Sequence, residues 1–81
     1  MIAAPDAAAR RLHREAALAE AAISLAHEHA ELCHARLCDA LGDRVAAESH
    51  RETAREYRRD AHRREDMADD AWPTDRSREA A

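Results

Sequence analysis

A single glycine divides a chain that otherwise contains very little to interrupt a helix. Gly42 is the only glycine among 81 residues, and the only prolines are Pro5 and Pro73. Alanine, glutamate, leucine and arginine, which all favour helix, dominate the composition. Glycine suits the residue after a helix end and aspartate suits the residue before a helix start, so Gly42-Asp43 predicts a tight turn. We therefore expect an all-α protein with two long helices.

The two prolines set the outer limits of these helices. Pro5 fits the first turn of a helix, where its missing N–H group is not needed. The residue before Pro73 is held out of the helical conformation, which ends the second helix. The prediction is an N-terminal tail, one hairpin domain and a disordered C-terminal tail: residues 1–4, residues 5–72 (helix 5–41, turn 42–43, helix 44–71) and residues 73–81.

The apolar residues of both helices predict how the hairpin packs. In the first helix they alternate in spacings of four and three, as in a coiled-coil seam: Leu12, Ala16, Ala19, Ile23, Ala26, Ala30, Cys33, Leu37 and Ala40. The second helix has a thinner apolar side: Ala47, Ala54, Tyr57, Ala61, Ala68 and Ala71. Folding about Gly42 brings the two sets together, with large residues opposite small ones in several layers. This register predicts an antiparallel two-helix hairpin with an alanine-rich, coiled-coil-like seam.

One continuous helix is the alternative. Alanine or cysteine recurs at intervals of seven from Ala19 to Ala68, through the turn, which an uninterrupted helix would also produce. In such a helix, the second set of seam positions after Gly42 would be occupied by charged residues: Arg44, Arg51, Arg58 and Glu65. The hairpin gives the second helix a better apolar face and explains the glycine, so we prefer it.

A second apolar stripe predicts self-association. Leu18, Leu25 and Leu32 recur at intervals of seven beside the first seam. An alanine-rich hairpin of this size buries little area on its own, so a further partner is needed to cover these leucines. We expect a homodimer in which two hairpins form a four-helix bundle through Leu18, Leu25 and Leu32.

Side chains with metal-binding chemistry concentrate in residues 29–38, where the unit His-Ala-x-Leu-Cys occurs twice. His29 and Cys33 are four residues apart and share one helix face. The predicted register adds His50 from the second helix. Mixed imidazole and sulfur ligands suit zinc or copper, so this layer is the predicted site if the protein binds a transition metal.

Further candidate ligands lie on another stripe of the same helix: His27, Glu31, His34 and Cys38. Residues 31–34 fit the pattern Glu-x-x-His, which resembles half of the di-iron motif of ferritin-like bundles. That resemblance implies a partner glutamate on a neighbouring helix. The alternative for every candidate ligand is structural, with cysteine as a small buried apolar residue and histidine as an ordinary surface residue.

Charge disfavours nucleic acid as a partner. From Arg44 to Arg64 there are seven arginines, but four acidic residues are interleaved with them, and the whole chain has a net charge of −4. These acids would repel phosphates. The chain also has no glycine-rich loop and no candidate oxyanion hole, so enzymatic activity is not expected.

The remaining expectations concern location and partners. No segment approaches the roughly 18 apolar residues of a membrane span, and the N-terminus lacks the regions of a signal peptide. We therefore expect a cytoplasmic protein with no membrane contact. The expected function is that of a small non-enzymatic interaction or regulatory module, which forms homo-oligomers and docks to another protein. The alternative is a helical bundle that binds zinc or copper through the repeated His and Cys residues.

Overall fold

The computed structural model describes residues 7–69, which form two α-helices packed side by side. Helix α1 spans Ala7–Ala40 and helix α2 spans Arg44–Asp69. The helices run antiparallel, because the guanidinium of Arg14, near the start of α1, lies 3.4 Å from the carboxylate of Asp69 at the end of α2. This confirms the predicted all-helical hairpin and excludes the continuous helix.

Some of the predicted features fall on residues that are not described. These are the helix start at Pro5, the helix stop before Pro73, the contact between Leu12 and Ala71 or Trp72, and both terminal tails. They lie outside residues 7–69. Within the described range, the helices end on either side of the predicted turn.

The turn closes both helix ends with only a few residues. The Gly42 N–H donates to the Asp39 carbonyl at 3.0 Å. The Asp43 N–H donates to the Cys38 carbonyl at 2.9 Å, which completes a Schellman motif. Gly42 has a φ of +82°, in the left-handed region that favours glycine. The Asp43 carboxylate then accepts a hydrogen bond from the Ala46 N–H at 3.0 Å and caps α2.

A strip of small residues forms the contact between the helices. The buried residues of α2 are all alanines, spaced seven apart as predicted: Ala47, Ala54, Ala61 and Ala68. Helix α1 contributes its own small residues: Ala17, Ala21, Ser24 and Ala35. Methyl and hydroxymethyl side chains let the two backbones approach closely, so this core is sensitive to any increase in side-chain size.

Helix α1 turns a different face toward α2 from the one predicted. The large residues of the predicted seam point outward, with Leu12, Ile23 and Leu37 being 61%, 58% and 56% exposed. The smaller members of the seam are exposed as well. The predicted seam is therefore wrong for α1, which is rotated by roughly 140° about its own axis, at about 100° per residue. The lengthwise register holds, since Arg64 is predicted opposite Ala19 and contacts the next residue, Glu20.

Polar contacts between the helices accompany this rotation. The alanine strip of α2 is flanked by arginine, aspartate and histidine side chains, and α1 meets them with complementary groups. The pairs that join the helices are Arg14–Asp69, Glu20–Arg64, Ser24–Asp60, Glu28–Arg58, Glu31–His50 and Asp39–Arg51. Turning the aliphatic face of α1 inward would separate these pairs and place large side chains against the alanine strip.

Candidate functional site

Three side chains that can bind a metal converge where the two helices are in contact. Glu31 and His34 are three residues apart on α1, so they lie on neighbouring turns of one face, and His50 reaches them from α2. Each side chain offers one ligand atom, and these atoms all lie within 4.8 Å of one another. Among residues 7–69 this is the one group of three or more His, Cys, Asp or Glu residues with that geometry.

A hydrogen bond inside the cluster links the two helices. His50 Nδ1 and Glu31 Oε2 are 2.6 Å apart, and the contact becomes an ion pair when the imidazole is protonated. The rings of His34 and His50 have centroids 5.3 Å apart and planes tilted by 52°. Glu31 and His50 are half-buried, whereas His34 is exposed. The cluster is therefore held in place by packing on one side and open to solvent on the other.

The three ligands predicted from the sequence are not brought together. His29 Nε2 lies 3.6 Å from Cys33 Sγ, as expected for residues four apart, but both side chains are exposed. The sequence predicts His50 opposite Cys33, and the structure places it beside Glu31 and His34 instead. The rotation of α1 is the cause, because it carries the His29–Cys33 pair away from α2.

Two of the four further candidates, Glu31 and His34, belong to the cluster. His27 instead stacks on Tyr57 of α2, with ring centroids 4.9 Å apart and planes 18° from parallel. Cys38 is half-buried near the turn. The Glu-x-x-His pattern was the sequence signal for Glu31 and His34. No partner glutamate joins them within residues 7–69, and the third member of the cluster is the histidine at position 50.

Exposed aliphatic side chains form a second feature of the hairpin. We define the outward apolar face of α1 as the exposed residues Leu12, Ala16, Ala19, Ile23, Ala26, Ala30, Cys33 and Leu37. The leucines predicted to form a dimer interface lie on the flank between this face and α2. Leu18 and Leu32 are half-buried there, and Leu25 is 39% exposed. The larger unburied apolar surface is thus the outward face.

Ser24 is the buried polar residue of the described chain, and it joins the helices through Asp60. Its hydroxyl donates to Asp60 Oδ2 at 2.5 Å, and Arg64 Nε donates to the same oxygen at 2.8 Å. The hydrogen bond from Ser24, followed by that from Arg64, lowers the pKa of Asp60 to about 2. The carboxylate therefore stays ionised well into the acid range.

Because the pKa of Asp60 is low in the folded hairpin, the free energy of unfolding decreases in acid. An unfolded aspartate has a pKa of about 3.9, so the folded state binds fewer protons than the unfolded state between about pH 4 and 2. The stabilisation is present above about pH 4 and is lost as pH falls toward 2. We expect Ser24→Ala to reduce that loss, because it removes the largest cause of the low pKa. Urea unfolding of the wild type and of Ser24→Ala across this pH range measures the loss of stability in each protein.

Ser49→Ala is the matched control, because Ser49 is exposed on α2. It should leave the acid dependence of the wild type unchanged. Equal acid dependence in Ser24→Ala and wild type would contradict the assignment of Ser24 as the main cause.

No protein-family model matches the chain, and comparisons with curated proteins and with solved structures also give no match. Neither of the two described helices is long and apolar enough to cross a membrane. Function is therefore inferred from the surfaces that the hairpin exposes and from the side chains that it brings together.

Proposed function

We propose that this protein is a small, non-enzymatic association module whose outward apolar face pairs with the same face of a second copy. One observation carries the proposal: the exposed face has the four-three spacing of a coiled-coil seam, whereas the contact within the hairpin is mainly alanine. Contiguous apolar patches on soluble proteins commonly mark interaction sites.

The energetics favour covering this face. Leu12, Ile23 and Leu37 are each more than half exposed. Fully burying one large aliphatic side chain contributes about 1.5–3 kcal/mol relative to leaving it in water. The hairpin alone has a small core, and a partner that binds only the folded state stabilises that state. Association and folding therefore support one another.

An antiparallel arrangement of the two copies fits the side-chain sizes. With Ile23 of one copy opposite Ala26 of the other, the two-fold axis passes between these layers. The neighbouring layers then pair Ala19 with Ala30, Ala16 with Cys33, and Leu12 with Leu37. Large residues near the axis lie opposite small ones, as interdigitated packing requires. At each end of the interface, Leu12 of one copy packs against Leu37 of the other.

The charges at the edge of this face fit the same arrangement. Glu15 and Arg36 are exposed on one edge of α1 and lie 21 residues apart, or three heptads. In the antiparallel register, Glu15 of each copy comes beside Arg36 of the other, so two opposite-charge pairs form. A parallel pair would instead place Glu15 beside Glu20 of the second copy, with like charges adjacent. Charge complementarity therefore favours the antiparallel pair.

This pairing leaves α2 on the outside of the assembly. The two contact faces of α1 are roughly 140° apart, at about 100° per residue. Four helices then lie side by side in a layer, with the two α1 helices central, instead of surrounding one shared core. The far side of α2 carries exposed charges, including Glu52, Arg55 and Glu56. We propose that a second kind of protein docks to that charged surface.

Cysteine cross-linking tests both the pairing and its direction. In a Cys38→Ser background, the added substitution Ala16→Cys should give a covalent dimer linked between positions 16 and 33 on mild oxidation, because these positions are opposite one another. The Cys38→Ser protein alone should remain unlinked. Adding Val45→Cys is the control, since Val45 is two residues from buried Ala47 and faces away from α1.

Two results would overturn the proposal. Efficient linkage of Cys33 to Cys33 in the Cys38→Ser protein would show a parallel pair. A monomeric mass for the wild type by light scattering at tens of micromolar would show that the outward face does not associate.

A further inference from the structure

We propose that Glu31, His34 and His50 form a transition-metal site that joins α1 to α2 and takes zinc or another late first-row divalent ion. The ligands come from both helices, with two from neighbouring turns of α1 and one from α2. None of them belongs to the outward apolar face, so one hairpin supplies the whole set. The site is therefore independent of the proposed pairing.

The distances fit a metal after small side-chain movements. Two ligand atoms bound tetrahedrally at about 2.0–2.1 Å from zinc lie about 3.3 Å apart. The ligand atoms of the cluster lie within 4.8 Å of one another, and His50 Nδ1 is 2.6 Å from Glu31 Oε2. Widening that hydrogen bond and moving the exposed His34 inward brings all three into range.

The two imidazole rings already have the required separation. When two imidazoles bind one tetrahedral zinc, their centroids lie about 5 Å apart, because each centroid is about 1 Å behind its ligand nitrogen. The centroids of His34 and His50 are 5.3 Å apart, and the rings are tilted by 52° instead of stacked. Stacked rings would point their nitrogens in parallel, whereas tilted rings can converge on one ion.

The donor set indicates the class of ion. Two imidazole nitrogens and one carboxylate oxygen suit zinc and other late first-row divalent ions, while calcium and magnesium prefer oxygen ligands. Copper(II) binds such ligands more tightly still by the Irving–Williams order. Three protein ligands leave a fourth position for water. The ion would lie between His50 Nδ1 and Glu31 Oε2, so its binding replaces the hydrogen bond that now joins these two atoms.

Zinc melts test the site. The melting temperature of the wild type should rise by about 10 °C or more at a zinc concentration about 100 times Kd, because the ion binds the folded hairpin and bridges its helices. His34→Gln removes an exposed ligand without disturbing the core, and it should abolish most of the shift. His50→Gln should do the same. His29→Gln is the matched control and should retain the full shift.

Cobalt(II) spectra distinguish this site from the one predicted by the sequence. Cobalt bound by Glu31, His34 and His50 should give visible d–d bands without the near-ultraviolet charge-transfer band that a thiolate produces. A thiolate band that disappears in Cys33→Ser would overturn the proposal in favour of the His29–Cys33 set. Absence of any zinc shift in the wild type, or an undiminished shift in both His34→Gln and His50→Gln, would also overturn it.

Discussion

Ala61→Leu is expected to lower the free energy of unfolding of the hairpin by about 2–3 kcal/mol. Ala61 is fully buried, at 0% exposure, and lies in the alanine strip that packs against α1. A leucine there has no free volume to enter, so it forces the helices apart and disturbs the hydrogen bonds between them. A core of this size rarely supplies more than about 3–5 kcal/mol, so much of the protein should unfold.

Circular dichroism during urea unfolding measures this effect. Ala22→Leu is the matched control, because it makes the same substitution at a position of α1 that is exposed. It should change stability by less than about 0.5 kcal/mol. If the two variants were equally stable, the alanine strip would not be the close contact described.

Ile23→Glu is expected to weaken self-association at least a hundredfold. Ile23 lies beside the two-fold axis of the proposed pair, and symmetry introduces the glutamate twice. Each copy loses a buried aliphatic contact and gains a charge that must be desolvated to associate. Sedimentation velocity over a concentration series gives the dissociation constant. The variant should keep its helix content, because Ile23 is exposed in the hairpin.

Two other glutamate variants show where the interface lies. Val45→Glu is the control, because Val45 is 84% exposed and faces away from α1, and it should associate like the wild type. Leu25→Glu tests the interface of Leu18, Leu25 and Leu32 predicted from the sequence. If it dissociates the dimer while Ile23→Glu does not, the second copy binds at that stripe instead of the outward apolar face.

The features that the sequence predicted correctly depend on local signals. Gly42 and Asp43 have conformational and capping preferences that act within a few residues, and they mark the turn without reference to the rest of the chain. The buried alanines of α2 could also be predicted, because the rest of that helix is so polar that only one apolar face remains.

The face of α1 that packs against α2 could not be predicted in the same way. This helix has small or aliphatic residues on most of its circumference, so apolar periodicity allows several solutions. The observed face is the one that forms polar pairs between distant residues, such as Glu20 with Arg64 and Ser24 with Asp60, which are 44 and 36 residues apart. The apolar periodicity of α1 ranks its faces by hydrophobicity alone. It contains no information on which polar side chains of α1 find partners on α2.

The same rotation decides which part of the candidate site could be predicted. The sequence identified His50 as the contribution of α2, and its lengthwise position followed from the correct register. It also identified Glu31 and His34 as candidate ligands on α1. Which stripe of α1 meets His50 depended on the rotation, so the predicted set of His29, Cys33 and His50 differs from the cluster in the structure.

The position of the turn also determines how the chain reaches its fold. Contacts between the helices join residues that are 12 apart at Asp39–Arg51 and 55 apart at Arg14–Asp69. The entropy lost in closing a loop grows with its length, so the pair nearest the turn forms at the lowest cost. Each pair that forms shortens the loop that the next must close. Folding should therefore proceed outward from Gly42 and Asp43, and the far ends of the hairpin should close last and open first.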